Sequence, residues 1–86
     1  MDQAVETTVG RVEAVVARIR AEGGKTTPVA IGDRLVDAGM TSMDMVSLML
    51  AIEAEFDVTI PPSDITPANF RSIATIVAMM DRIGAA

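Results

Sequence analysis

The chain has 86 residues, half of them apolar, and a formal net charge of −5. At this length we expect one small domain with a single modest core and little room for a buried active site. Histidine, cysteine, tyrosine and tryptophan are absent. The usual general base, thiol nucleophile and transition-metal ligands are therefore missing. The composition argues against an enzyme, and no metal site is expected.

Charge and hydropathy also restrict the partners. The negative net charge opposes binding to a nucleic-acid backbone, and the two phenylalanines offer no stacking platform for single strands. No apolar run reaches the length of a membrane span, and no secretion signal is recognisable. We therefore expect a cytoplasmic protein that binds neither nucleic acid nor membrane, and a monomer is the default expectation.

The acidic residues are concentrated in the middle of the chain. From Met1 to Arg34, five acidic residues balance five basic ones, whereas Leu35 to Phe70 contains six acidic residues and no Lys or Arg. Such an acidic block would steer basic partners toward this region. A plainer interpretation is a solvated surface that keeps a small apolar protein soluble.

The first helix is predicted over about 3–22 from apolar residues spaced by four and three. They are Val5, Val9, Val12, Val16 and Ile19. Gly23 and Gly24 provide its C-terminal end. A long loop follows over 23–41, in which Val29, Ile31 and Leu35 are available to pin the chain to the core.

A capping box predicts the second helix over about 42–56. Thr41 is the N-cap and Asp44 follows three residues later. One arc of this helix is assigned to the core and holds Met45, Leu48, Met49, Ile52 and Phe56. A second apolar strip lies beside Ser42 and consists of Met43, Val46 and Leu50. This strip is either further core or an exposed docking surface, and the pattern alone leaves both open.

Two shorter elements complete the prediction. Pro61 and Pro62 block continuation of the second helix. A short helix is predicted over about 63–70, with Thr66 and Pro67 as N-cap and first residue. The last helix is predicted over about 72–83, with a stripe of Ile73, Ile76, Val77, Met80 and Ile83. The predicted fold is an all-α four-helix bundle with three longer helices, one short helix and a long first loop.

Ser42 is the first residue of the second predicted helix. A serine at this position is most often only a cap, but Thr41 already fills that role. Backbone N–H groups at a helix start favour an attached anion. Ser42 is therefore the candidate for carrying a phosphate-linked group.

The segment from Leu35 to Met43, followed by Val46, Leu48, residues 52–56 and Ile60-Pro61, resembles the acyl carrier and peptidyl carrier protein family. The resemblance extends over about residues 33–83. It implies that Ser42 carries a 4′-phosphopantetheine, which a phosphopantetheinyl transferase attaches from coenzyme A. The second helix is the recognition helix of the family. This implies partner contacts at Thr41, Met43, Val46, Ser47, Leu50, Glu53 and Ala54.

Three positions depart from the family pattern. Thr41 stands where most members have Asp, and Ser47 and Ala54 stand where fatty-acid carriers commonly have acidic residues. In this region the chain is similar to free-standing carriers that dedicated ligases charge with amino acids. The resemblance implies a carrier that holds an acyl or aminoacyl thioester and meets an activating ligase and downstream transferases. Two alternatives stay open: an unmodified helical adaptor that binds through Met43, Val46 and Leu50, and a carrier whose arm anchors a larger assembly.

Overall fold

Three α-helices and one 3₁₀ turn form the secondary structure of residues 7–85, the part that the computed structural model describes. Helix α1 spans Thr8–Glu22, α2 spans Ser42–Phe56 and α3 spans Ile73–Arg82, while the 3₁₀ turn covers Pro62–Asp64. The predicted all-α class is confirmed, although the predicted start of helix one and Val5 lie outside the described residues. Each helix in the described part is too short or too polar to serve as a membrane span.

Each helix begins at a hydroxyl side chain that accepts a backbone N–H of the first turn. Thr7 accepts from Gly10 at 2.9 Å, Thr41 accepts from Asp44 at 3.1 Å, and Ser72 accepts from Thr75 at 3.2 Å. These bonds satisfy donors that have no partner inside the helix. The helix starts are therefore set by interactions over three residues.

The core lies where α1 packs against both α2 and α3. From α2, only Leu48 and Ile52 are fully buried, while Met45, Met49 and Phe56 are half-buried. The connecting segments add buried side chains to the same core. Its fully buried members outside α2 are Val12, Val15, Val16, Leu35, Ile60, Ile73, Ile76, Met79 and Met80. Helix α2 thus buries only a narrow side in the core and leaves a broad face exposed to solvent.

The predicted short helix over 63–70 is confirmed only in part, as a 3₁₀ turn over Pro62–Asp64 and not as a continuous helix. The 3₁₀ turn ends at Asp64, and a single turn follows in which Thr66 Oγ1 accepts the Asn69 N–H at 3.1 Å and the Thr66 carbonyl accepts the Phe70 N–H at 3.2 Å. Pro67 explains the difference, because it has no N–H and biases the preceding residue away from helical backbone angles. The described chain therefore has three α-helices and not four.

The long loop between α1 and α2 is held by a buried arginine. Arg20 is only 7% exposed, and its Nε donates to the Ala38 carbonyl at 3.2 Å while its Nη2 donates to Thr27 Oγ1 at 3.0 Å. Its Nη1 donates to the Thr27 carbonyl. Loop oxygens thus satisfy a guanidinium that would be costly to bury without partners. Arg20 fixes the loop a few residues before Ser42.

The last turn of this loop depends on Gly39. Its φ of +89° lies in the left-handed region, and a Cβ at this position would collide with the Lys25 side chain. The next residue, Met40, is buried and donates its N–H to the Leu35 carbonyl at 3.1 Å. This turn delivers the chain to Thr41 and the start of α2.

Candidate attachment site at the start of α2

Ser42 is exposed and occupies the first position of α2. The cap is made by its neighbour: Thr41 Oγ1 accepts the Asp44 N–H at 3.1 Å, and Asp44 Oδ2 accepts the Thr41 N–H at 2.9 Å. No residue between 7 and 85 hydrogen-bonds with the Ser42 hydroxyl. This hydroxyl therefore faces solvent, and no described side chain activates it.

The backbone around Ser42 suits an attached anion. Within residues 7–85, the N–H groups of Ser42 and Met43 have no hydrogen-bond acceptor. They lie at the positive end of the helix dipole. A phosphate bonded to the Ser42 oxygen would be stabilised there. Among residues 7–85 no base hydrogen-bonds with the hydroxyl, so a reaction at Ser42 would need a separate enzyme.

The apolar strip beside Ser42 is exposed. Met43 is 74% exposed, Val46 is 49% exposed and Leu50 is 55% exposed. The sequence leaves this strip open between core and surface, and the structure shows the surface alternative. Ser47 and Ala54 are also exposed. All five share one face of α2, since their spacings of three and four residues return to the same side of a helix.

Glu53, also a predicted partner-binding residue, differs from the others. Its side chain is half-buried, and its Oε2 accepts the Ile60 N–H at 2.8 Å. The carboxylate therefore ties down the segment that follows α2. Its predicted contact with a partner stays a prediction, and this hydrogen bond already gives it a structural role.

Most carboxylates of the acidic block have partners inside the protein. Glu55 pairs with Arg11 across α1 and α2, with 3.0 Å between Oε2 and Nε. Asp37 pairs with Arg34, with 3.2 Å between Oδ2 and Nε. Asp44 and Glu53 accept the backbone bonds described above. The block keeps its negative charge, but four of its six carboxylates already have a partner within the protein.

A groove of about 1120 Å³ opens beside Ser42, between the long loop, α2 and residues 65–71. Its walls are mostly apolar and include the exposed side chains of Val36, Val46 and Ile65. Val36 and Ile65 could not be predicted from the sequence as part of this groove, because isolated apolar residues in loops carry no periodic signal. The remaining lining residues are Arg34, Met40, Thr41, Met45, Met49, Thr66, Pro67, Phe70 and Arg71.

Comparison with known proteins agrees with this geometry. Residues 12–80 match the family model described as the phosphopantetheine attachment site. The chain therefore belongs to the family of proteins that have a phosphopantetheine attachment site, the acyl carrier class of small helical proteins. The predicted family and the predicted covalent 4′-phosphopantetheine are confirmed.

Two proteins of Bradyrhizobium diazoefficiens are similar in sequence. Aminoacyl carrier protein 1 is 48% identical over 79 residues, which cover 91% of this chain and 88% of that protein. Aminoacyl carrier protein 2 is 44% identical over 70 residues, covering 81% of this chain and 79% of that protein. The chain is therefore a carrier and not an enzyme, as its composition predicts.

Two crystal structures from Bradyrhizobium japonicum contain similar chains. One is glycine:[carrier protein] ligase complexed with glycylated carrier protein, with a TM-score of 0.79, 44% identity, and coverage of 84% of this chain and 96% of that chain. The other is the ligase with its cognate carrier protein and an analogue of glycyl adenylate. It has a TM-score of 0.81, 43% identity, and coverage of 87% and 96%. The alternative of an unmodified adaptor loses its support.

Proposed function

We propose that this chain is an aminoacyl carrier protein in which Ser42 bears the 4′-phosphopantetheine. The exposed, unbonded Ser42 hydroxyl at the capped start of α2 carries this proposal. The chain has no cysteine, so a thioester can form only on the thiol at the end of the attached arm. A phosphopantetheinyl transferase moves the group from coenzyme A to Ser42 Oγ.

Thr41 suits this role without supplying a charge. Its hydroxyl caps α2 through the Asp44 N–H, so the helix start that receives the phosphodiester is intact. The unbonded N–H groups of Ser42 and Met43 favour the phosphodiester by about 0.3–1 kcal/mol. An Asp at position 41 would cap equally well but would place a second negative charge beside the phosphate.

An amino-acid-activating ligase is the proposed loading partner. The likeness to chains from two glycine:[carrier protein] ligase complexes supports it, and makes glycine the first cargo to test. The proposed docking face is the exposed side of α2, and Val36 and Ile65 extend it across the groove. A downstream transferase then takes the aminoacyl group. We propose a cytoplasmic monomer, in which the α2 face is free to meet one partner at a time.

Intact-mass measurement tests the attachment residue. Incubation of the unmodified protein with coenzyme A and a phosphopantetheinyl transferase is expected to add one phosphopantetheinyl group. Ser42→Ala should abolish the addition. Ser63→Ala, which removes another exposed serine hydroxyl in the 3₁₀ turn, should leave it unchanged. A full mass increase on Ser42→Ala would show that another residue carries the group.

Loading of the modified protein tests the cargo. Incubation with ATP, glycine and a glycine:[carrier protein] ligase should add one glycyl group, and hydroxylamine should remove it because it cleaves thioesters. Parallel reactions with alanine and with a short fatty acid and its own ligase give the comparison. Loading by the fatty-acid ligase alone would replace the aminoacyl role with an acyl role.

A further inference from the structure

The groove beside Ser42 has an unusual charge for this protein. Among the described residues that line it, only Arg34 and Arg71 are charged, and no carboxylate is present. The chain as a whole carries a net charge of −5. The two arginines flank the acidic block in sequence. The Leu35 N–H donates to the Arg71 carbonyl at 2.8 Å, and this bond brings the two ends of the acidic block together. The groove is thus a cationic site on an acidic protein.

Arg71 is the stronger of the two charges. The guanidinium of Arg34 pairs with Asp37, with 3.2 Å between Nε and Oδ2, so its charge is partly offset. Arg71 is exposed and has no ion pair within residues 7–85. The start of α2 also lines the groove through Ser42, and its unbonded N–H groups add a partial positive charge.

An aminoacyl thioester differs from a simple acyl thioester by its α-ammonium. Moving an ammonium into an apolar groove is costly unless a carboxylate or similar acceptor pairs with it. The groove offers none. The phosphodiester on Ser42 would be the one anion that the attached arm brings. Arg71 and the start of α2, which line the same groove, would compete with an ammonium for it.

Building on the proposed function, we propose that this groove accepts the uncharged part of the prosthetic arm but excludes the α-ammonium of an aminoacyl cargo. The aminoacyl end therefore stays in solvent, where partner enzymes collect it. A neutral acyl group of the same size folds back against the groove wall. Arg71 is the residue that makes this distinction.

Methionine methyl NMR tests the proposal, because Met45 and Met49 line the groove while Met79 and Met80 are completely buried in the core. The transferase loads Ser42 from glycyl-coenzyme A or from propionyl-coenzyme A. These cargoes have the same size and differ by an ammonium in place of a methyl group. The reference is the form loaded from coenzyme A itself, in which the arm carries no cargo. Relative to it, we expect the Met45 and Met49 signals to move in the propionyl form and to stay in place in the glycyl form. The population with docked cargo should be lower by about tenfold or more in the glycyl form than in the propionyl form.

A charge reversal sharpens the test. Arg71→Glu supplies the missing acceptor, so the glycyl form should now move the Met45 and Met49 signals as the propionyl form does. Arg71→Gln, which removes the charge only, should give an intermediate shift. Arg18→Glu makes the same charge change on the exposed side of α1, outside the groove, and should leave the discrimination intact. Unmoved Met79 and Met80 signals report that each variant is folded.

The outcomes separate this inference from the proposed function. Equal movement of Met45 and Met49 by both cargoes in the unaltered protein would overturn the exclusion of the ammonium. Movement by neither cargo, relative to the arm without cargo, would overturn the docking of a neutral acyl group in the groove. Either result leaves Ser42 loaded in the mass spectrum and the carrier function intact. Failure of Ser42 to accept either thioester would overturn the carrier assignment at this residue and the inference with it.

Discussion

The two ends of α2 differ in how they are held. At the N-terminal end, the described bonds are local, since the capping box joins Thr41 and Asp44, and Met43 is largely exposed. At the C-terminal end, the Arg11 Nη2 donates to the Glu55 carbonyl at 2.7 Å, and the Arg11 Cζ lies 4.2 Å from the centre of the Phe56 ring. A helix anchored at its far end carries the candidate serine at its open end.

This arrangement separates the anchoring of α2 from the attachment site. Fifteen helical residues put the two ends about 20 Å apart at 1.5 Å per residue. Bonds at the C-terminal end therefore fix the direction of α2 without covering Ser42 or the apolar strip. The Arg11 guanidinium also suits its place, because a cation beside the last carbonyls interacts favourably with the helix dipole.

The largest effect is expected from the half of α2 that faces the core. Ile52→Ala should lower the free energy of unfolding by about 2–5 kcal/mol, because the side chain is completely buried and leaves a cavity. Val46→Ala, nearer the open end and half exposed, should change it by no more than about 0.5 kcal/mol. Urea unfolding measures both, and equal losses would contradict the contrast between the two ends.

Glu53 tests the anchor at the C-terminal end. Glu53→Ala leaves the N–H of the buried Ile60 without its acceptor, which should cost about 1–3 kcal/mol of unfolding free energy. Glu53→Gln keeps an oxygen that can accept this bond and should cost less, as measured by urea unfolding. If both variants lose the same stability, the carboxylate charge and not the hydrogen bond is responsible.

Leu50 tests the exposed face as a docking surface. Leu50→Glu should slow loading by the ligase by about tenfold or more, equivalent to about 1.4 kcal/mol, because it puts a charge into an apolar contact. The free energy of unfolding should stay within about 0.5 kcal/mol, since the side chain is exposed. Ala14→Glu adds the same charge at an exposed position of α1. Equal slowing by both would make general charge the cause.

Thr41 tests the open end itself, with the smallest expected effect. Thr41→Ala removes the acceptor of the Asp44 N–H and should cost about 1 kcal/mol of unfolding free energy. Thr41→Asp keeps an acceptor and should restore most of that loss in thermal unfolding. A loss for Thr41→Ala as large as that for Ile52→Ala would mean that the N-terminal end is also held by the core.

The sequence predicts the interactions between residues that lie three or four positions apart in the chain. The capping box of Thr41 and Asp44 predicts the start of α2, and the 3.6-residue period predicts which face holds Leu48 and Ile52. Both depend on spacings of three or four residues, which a helix converts directly into contact. For the same reason, Ser42 could be recognised as a residue without a capping role.

Long-range contacts decided the rest, because nothing in the local pattern specifies them. Whether the apolar strip was core or surface depended on how wide a face of α2 the other helices cover. Glu53 accepts the Ile60 N–H, and Arg20 donates to the Ala38 carbonyl of the long loop. Both bonds exist only because the chain folds back on itself. The predicted short helix was a case of two conflicting local signals. The capping pattern at Thr66 favours a helix start, whereas Pro67 disfavours a continuous helix through this segment.

The sequence by itself determined that the chain is all-α with Ser42 at the capped start of its second helix, since caps and helical periodicity act within a few residues. Its resemblance to a known family implied the carrier role. Only the tertiary structure decided what surrounds that serine. Val36, Ile65 and Arg71 come from segments far apart in sequence and meet at one groove. Their meeting depends on packing and on the Leu35–Arg71 backbone bond, and such contacts across the chain leave no periodic trace in the sequence.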